Sequence, residues 1–76
     1  MKELIEYIAK ALVDLPDQVS VKELDGDGST LYELTVAPEE IGKVIGKQGR
    51  TIKALRTVLS CASAKQNKRV MLELME

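Results

Sequence analysis

The chain has 76 residues, of which 45% are hydrophobic and 30% charged, and its formal net charge is −1. This length fits one small domain, residues 1–76, and the composition excludes a disordered chain and, with no apolar run near about 18 residues, a membrane span. We expect a soluble, cytoplasmic protein, because the opening segment MKELIEYIAKAL places acids inside its apolar pattern, unlike a signal peptide.

The first predicted element is an amphipathic helix over residues 2–13. Leu4, Ile8 and Leu12 recur at helical spacing, and charged residues occupy the other side. The helix is expected to end before Pro16, because the residue that precedes a proline avoids the α region.

Two strands with alternating apolar residues follow, in QVSVKEL and STLYELTVA. The segment DGDG between them, Asp25–Gly28, tolerates positive φ and predicts a hairpin turn. A calcium loop is the alternative. Counted from Asp25, however, Thr30 stands where that loop needs a glycine and Val36 where it needs a bidentate glutamate. We therefore expect no metal, and nothing in the chain indicates another cofactor.

The second half predicts a short helix from Pro38 to the residue before Gly46, a longer helix after Gly49, and a third strand in RVMLELM. The longer helix should fade near Gln66 and Asn67. Its residues divide into a core face with Ile52, Leu55, Leu59 and Ala62 and a polar face with Lys53, Arg56, Ser60 and Ser63. The single cysteine, Cys61, cannot form a disulfide within the chain, and the chain has no histidine to activate it. We expect Cys61 to be a small buried residue.

The predicted order is helix, strand, strand, helix, helix, strand. A helical crossover joins the last two strands and should make them parallel. Three strands with one apolar face, covered by three helices, predict a two-layer α/β domain of the α+β kind with a mixed sheet.

Two glycines, Gly46 and Gly49, interrupt the helical pattern in VIGKQGRTIK. Each glycine costs about 1 kcal/mol in a helix interior, so the pair indicates a tight turn between two helices. Such a turn offers backbone without Cβ atoms, amides that point outward and the positive end of the next helix. We expect a sugar–phosphate backbone to lie against it.

The charges support a polyanionic ligand. Residues 1–40 carry a net charge of −7 and residues 41–76 a net charge of +6, and no acid occurs from Ile41 to Leu72. This separation predicts a positive face, although a solvated basic helix is the alternative. The cations around the turn are Lys43, Lys47, Arg50 and Lys53.

The segment VIGKQGRTIK resembles the I-G-x-x-G-x-x-I signature of KH domains, with Ile45, Gly46, Gly49 and Ile52 at the four fixed positions. The order of elements matches the type II, bacterial form of that fold. The similarity to the small stand-alone bacterial KH proteins of the KhpA type extends over essentially the whole chain. It implies a type II KH domain, with a three-stranded mixed sheet packed on three helices.

The resemblance implies a single-stranded RNA-binding module, an RNA chaperone or post-transcriptional regulator with a role in cell shape. The clamp on about four nucleotides of backbone would be Gly46, Lys47, Gln48 and Gly49. The base groove would be lined by Ile41, Val44 and Ile45, with the strand residues Val70 to Leu74 as its opposite wall. The resemblance also implies a homodimer, or a heterodimer with a longer KH-domain protein of the KhpB type.

Other functions remain open at this point. Ala54, Val58 and Cys61 widen the apolar face of the longer helix, so the chain could act mainly as an assembly subunit; a deeply wrapped helix is the alternative. Single-stranded DNA could replace RNA. An enzyme is not expected, because the chain has no histidine and no nucleophile with a partner at a suitable spacing. No membrane and no small-molecule substrate are expected.

Overall fold

The computed structural model describes residues 1–65 and 67–75. The main elements, in chain order, are α1 (Lys2–Leu12), β1 (Ser20–Gly26), β2 (Ser29–Thr35), α2 (Ile41–Ile45), α3 (Arg50–Ala64) and β3 (Arg69–Met75). Single turns of 3₁₀ helix precede β1, α2 and α3, at Pro16–Gln18, Pro38–Glu40 and Lys47–Gly49. The predicted order of helices and strands is confirmed. No helix in the described ranges is both long and apolar enough to cross a bilayer.

The three strands form one mixed sheet in the order β1-β2-β3. β1 and β2 pair antiparallel around a turn at Asp27 and Gly28, and Gly28 has a φ of 70°. β2 and β3 are parallel, as predicted from the helical crossover through α2 and α3 that joins them. β3 is therefore an edge strand. The α+β fold class and the mixed sheet are confirmed.

One face of the sheet carries the core. Val21, Tyr32, Leu34 and Leu72 are buried on that face, as the period of two along each strand requires. The opposite face exposes Leu24 and Met71. The helices therefore lie against one side only. They complete the core with Ile5 and Ala9 from α1, Val44 from α2, and Ile52, Leu55 and Leu59 from α3.

α3 differs from the sequence prediction at two positions. Ser63, which was assigned to the polar face, is buried, because it continues the stripe of Leu55 and Leu59 at intervals of four. Its hydroxyl donates to the carbonyl of Ser60 over 3.0 Å, which satisfies the buried group. Cys61, which was expected to be buried, is exposed. The helix ends at Ala64, and Gln66, where it was expected to fade, lies outside the described residues.

Candidate nucleic-acid interface

The glycine turn, Gly46–Gly49, joins α2 to α3 through an unusual run of backbone angles. Gly46 has φ 76° and ψ 174°, Gln48 has φ 59° and ψ 25°, and Gly49 has φ 73° and ψ 14°. The angles of Gly46 are open almost only to glycine. Gln48 carries a side chain in the left-handed region, which costs about 1 to 2 kcal/mol. Strain of this kind concentrates at binding sites.

Hydrogen bonds inside the turn decide which amides face outward. The Gly46 amide donates to the Gly42 carbonyl over 2.9 Å, and the Gly49 amide donates to the Gly46 carbonyl over 3.1 Å. The glycine amides are thus occupied. Within the described chain, the amides of Lys47 and Gln48 find no backbone acceptor. These two N–H groups, rather than those of the glycines, are available to an anionic ligand.

The two glycines serve different purposes. A Cβ added to Gly46 would lie 2.2 Å from Thr51 Oγ1, so Gly46 makes room for the first turn of α3. A Cβ added to Gly49 would meet only the Lys53 Cε, at 4.0 Å. The bare surface that a phosphate could approach is therefore at Gly49. The sequence pattern had predicted such a surface at both glycines.

Three of the four predicted cations are available at this turn. Lys47, Arg50 and Lys53 are exposed and form no salt bridge with any residue that the structure describes. The Arg50 guanidinium donates to Gln48 Oε1 over 3.4 Å, an exposed contact that a ligand can displace. These side chains surround the two free amides with positive charge.

Lys43, the fourth predicted cation, is already neutralised. Its ammonium donates to Asp14, and to Glu40 Oε2 over 3.2 Å. These hydrogen bonds to carboxylates raise the pKa of Lys43. Both partners lie outside the acid-free stretch of the sequence, and the fold brings them to α2. Lys43 is therefore part of the scaffold that holds α2 rather than a free contact for phosphate.

Glu40 is the centre of this scaffold. Its side chain, directly before α2, is only 3% exposed. The carboxylate accepts the Asp14 amide, the Leu15 amide over 2.9 Å, and the Lys43 ammonium. Burial favours the neutral acid, but the hydrogen bonds to the charged form outweigh it and lower the pKa of Glu40. Glu40 thus ties the exit of α1 to the start of α2.

Replacing Glu40 by glutamine should lower the unfolding midpoint by about 5 to 10 °C, because the amides of Asp14 and Leu15 lose a charged acceptor. The folded-state pKa of Glu40 lies below its ordinary value of 4.5. Its contribution is therefore complete above that value and is lost as pH falls through the folded-state pKa. Thermal unfolding across pH tests this: the gap between wild type and Glu40→Gln should close in acid. Glu39→Gln, an exposed neighbour, is the control, and equal midpoints for the two variants would contradict the role of Glu40.

An apolar groove of about 650 Å³ runs beside the turn, between α2 and the end of β3. Ile41 and Ile45 line it from α2, and Ile45 is 37% exposed. Val44, the third predicted groove residue, is fully buried and packs in the core. Val44 and Ile45 are neighbours in the sequence and lie about 100° apart around α2, so Val44 packs inward while Ile45 stays at the groove. Glu73 and Leu74 line the far wall, whereas Val70 and Leu72, which were predicted to belong to the same wall, do not.

Two groove residues from α3 were not among the predicted contacts. Ile52 and Arg56, one turn apart on α3, line the groove floor. Arg56 had been assigned to the solvated face, but its guanidinium donates to the Leu72 carbonyl, over 3.4 Å from Nε and 3.3 Å from Nη2. The spacing of four from Ile52 was the available signal, since it places both side chains on one stripe of α3.

Comparison with known proteins identifies relatives of the chain. The family profile described as KhpA/KhpB, KH domain, matches residues 2–74. A protein of Clostridium acetobutylicum named RNA-binding protein KhpA is 60% identical over 74 residues, which cover 97% of this chain and 99% of the relative. Proteins of the same name from Chlamydia trachomatis and Halalkalibacterium halodurans are 54% and 55% identical over 76 residues, covering all of this chain and 97% and 100% of the relatives. No solved structure matches the chain significantly.

Proposed function

The chain belongs to the KhpA/KhpB KH-domain family, and from that premise we propose that it binds single-stranded RNA, clamping the backbone at the glycine turn. The relatives named above are RNA-binding proteins by name. They belong to a family without enzymatic activity, in agreement with the sequence expectation. We further propose that residues 1–76 act as one KH domain in the cytoplasm, as an RNA chaperone or post-transcriptional regulator.

The observation that carries this proposal is the pair of amides at Lys47 and Gln48 that lack a backbone acceptor among the described residues. Three cations that form no salt bridge in the same part of the chain lie around them, and an apolar groove lies alongside. The amides and cations suit phosphate oxygens. The groove suits bases, and only unpaired bases can turn into it, which favours a single strand over a duplex. Single-stranded DNA has the same phosphates and bases, so a DNA strand of matched sequence is the alternative ligand to compare.

The salt dependence of binding tests the clamp. With three free cations at the turn, log affinity should fall against log salt with a slope of about −2, since each phosphate contact to a single strand contributes about −0.7. Lys53→Ala should reduce this slope by about 0.7, whereas Lys43→Ala should leave it unchanged, because Lys43 is held by Asp14 and Glu40. Fluorescence titration of a labelled RNA at several salt concentrations measures the slope. A flat salt response would rule out the backbone clamp.

A second role, as an assembly subunit, is favoured by a different surface. Ala54, Val58 and Cys61 are exposed on α3, and Val58 is 47% exposed, so the expected alternative of a deeply wrapped helix is wrong. Val58 also lines a shallow cleft of about 200 Å³ shared with Ile8 and Leu12 of α1. We propose that this surface pairs with a second copy, or with a longer KH-domain protein of the KhpB type.

Sedimentation tests the pairing. If α3 is the contact, Val58→Asp should convert a dimer at micromolar concentration into a monomer, because a charge would be buried at the contact. Thr57→Asp places the same charge one position away on an exposed site outside the cleft and should leave the dimer intact. A wild-type protein that is monomeric throughout the micromolar range would exclude self-association.

A further inference from the structure

A second cleft continues the groove along β3. It has a volume of about 520 Å³ and lies between α3 and the edge of β3, lined among others by Leu59, Ser60, Val70 and Leu72. Arg56 and Glu73 line both this cleft and the groove. α3 runs away from the glycine turn, so residues further along it lie further from the turn. The two cavities are therefore consecutive, with Arg56 at the boundary.

The backbone of β3 offers hydrogen-bonding groups to both cavities. The Leu72 carbonyl accepts from Arg56, which shows that this residue turns its polar groups to the open edge of the sheet. The N–H and C=O groups of successive strand residues point alternately to the two sides of the strand, so those of Val70 and Leu74 point to the same open edge as those of Leu72. Leu74 lines the groove and Val70 lines the second cleft. Each cavity thus combines an apolar wall with a backbone donor and acceptor.

Two features of the second cleft limit which ligands it can bind. Arg56 covers the edge at Leu72, so a peptide strand could not pair continuously with β3. Charge favours a polyanion: all residues of α3 lie in the acid-free stretch, and Arg69 follows at the far end. The acid on the lining, Glu73, belongs to the alternate set of β3 residues, which faces away from the helices. Continuity with the groove then points to the same RNA strand.

We propose that the second cleft receives a further unpaired base of the bound RNA, so that the site extends past Arg56 beyond the about four nucleotides that the clamp and groove hold. This inference rests on the proposed function. The base would stack against the apolar wall of Leu59 and Val70 and meet the edge-facing backbone groups of Val70. The Arg56 guanidinium, already fixed to Leu72, would separate consecutive bases.

Oligouridylates of four and six nucleotides test the extension. Wild type should bind the six-nucleotide strand at least about ten-fold more tightly than the four-nucleotide strand. A four-nucleotide site alone would give a gain of roughly three-fold, because the longer strand can bind it in three different positions. Ser60→Leu fills the cleft from an exposed helical position without changing charge. It should reduce the gain to about three-fold and leave binding of the four-nucleotide strand within about two-fold of wild type. Thr57→Leu, one turn earlier and lining neither cavity, is the matched control and should behave as wild type.

Methyl resonances supply an independent readout. Those of Leu59 and Val70 should shift with the six-nucleotide strand and stay in place with the four-nucleotide strand. The extension would be overturned if Ser60→Leu reduced the affinity for both strands equally, or if wild type gained only about three-fold from the longer strand. Neither result would contradict the backbone clamp. If neither strand bound at all, the proposed function would fail and the extension with it.

Discussion

The double variant Lys47→Asp, Gln48→Asp is expected to weaken RNA binding by at least about 100-fold while leaving thermal unfolding nearly unchanged. The change removes one cation and places two carboxylates beside the only two amides of the turn that lack a backbone acceptor within the described residues. Both carboxylates would repel the phosphates that the amides and the neighbouring cations attract. Both residues are exposed, and aspartate accepts the left-handed angles of Gln48 more readily than most side chains.

The control for this variant changes the net charge equally at a distance from the turn. Lys2→Asp with Gln18→Asp alters exposed residues at the start of α1 and the end of the first 3₁₀ turn, and it should leave affinity within about three-fold of wild type. Titration of a labelled RNA, with thermal unfolding of each variant, gives both quantities. Unchanged binding by the turn variant would exclude the clamp, and loss of its fold would mean that the turn is structural.

The fold could be predicted from the sequence because each element carries its own local signal. The hairpin turn at Asp27 and Gly28, the helical repeat of α1 and the alternation in β3 all depend on residues close together in the chain. The parallel pairing of β2 and β3 followed from the length of the crossover alone. Within α3, burial was misjudged at Ser63 and Cys61. Ser63 can be buried because the Ser60 carbonyl accepts its hydroxyl, and no pattern of hydrophobicity reveals such a bond.

The sequence indicated which residues make up the site, but not which contacts they form in the fold. The cations were identified from a charge count along the chain, which cannot show that Asp14, 29 residues before Lys43, neutralises it in the fold. Val44 was assigned to the groove with its apolar neighbours, because sequence shows that α2 is apolar without showing which side faces the core. The free amides of Lys47 and Gln48 depend on the angles of four residues, and glycine spacing alone does not specify them.

Gly46→Ala should be the most destabilising substitution in the turn, with a loss of about 3 kcal/mol or more in the free energy of unfolding. Two effects combine. The backbone of Gly46, at φ 76° and ψ 174°, is closed to residues with a Cβ, and that Cβ would lie 2.2 Å from Thr51 Oγ1, 2.6 Å from Thr51 Cβ and 2.9 Å from the Thr51 nitrogen. Relief requires α3 to move relative to α2, which would disturb Ile52 in the core. Denaturant unfolding measures the loss.

Gly49→Ala separates the two effects, since its added Cβ has open space and only the left-handed backbone is strained. Its cost should be about 1 kcal/mol. Thr51→Ala should not rescue Gly46→Ala, because the Cβ and nitrogen of residue 51, at 2.6 and 2.9 Å, would still block the new methyl group. Recovery of stability in that double variant would show that only the threonine hydroxyl was in the way. Equal costs at the two glycines would show that backbone angle alone governs the turn, with no contribution from the close approach of α3.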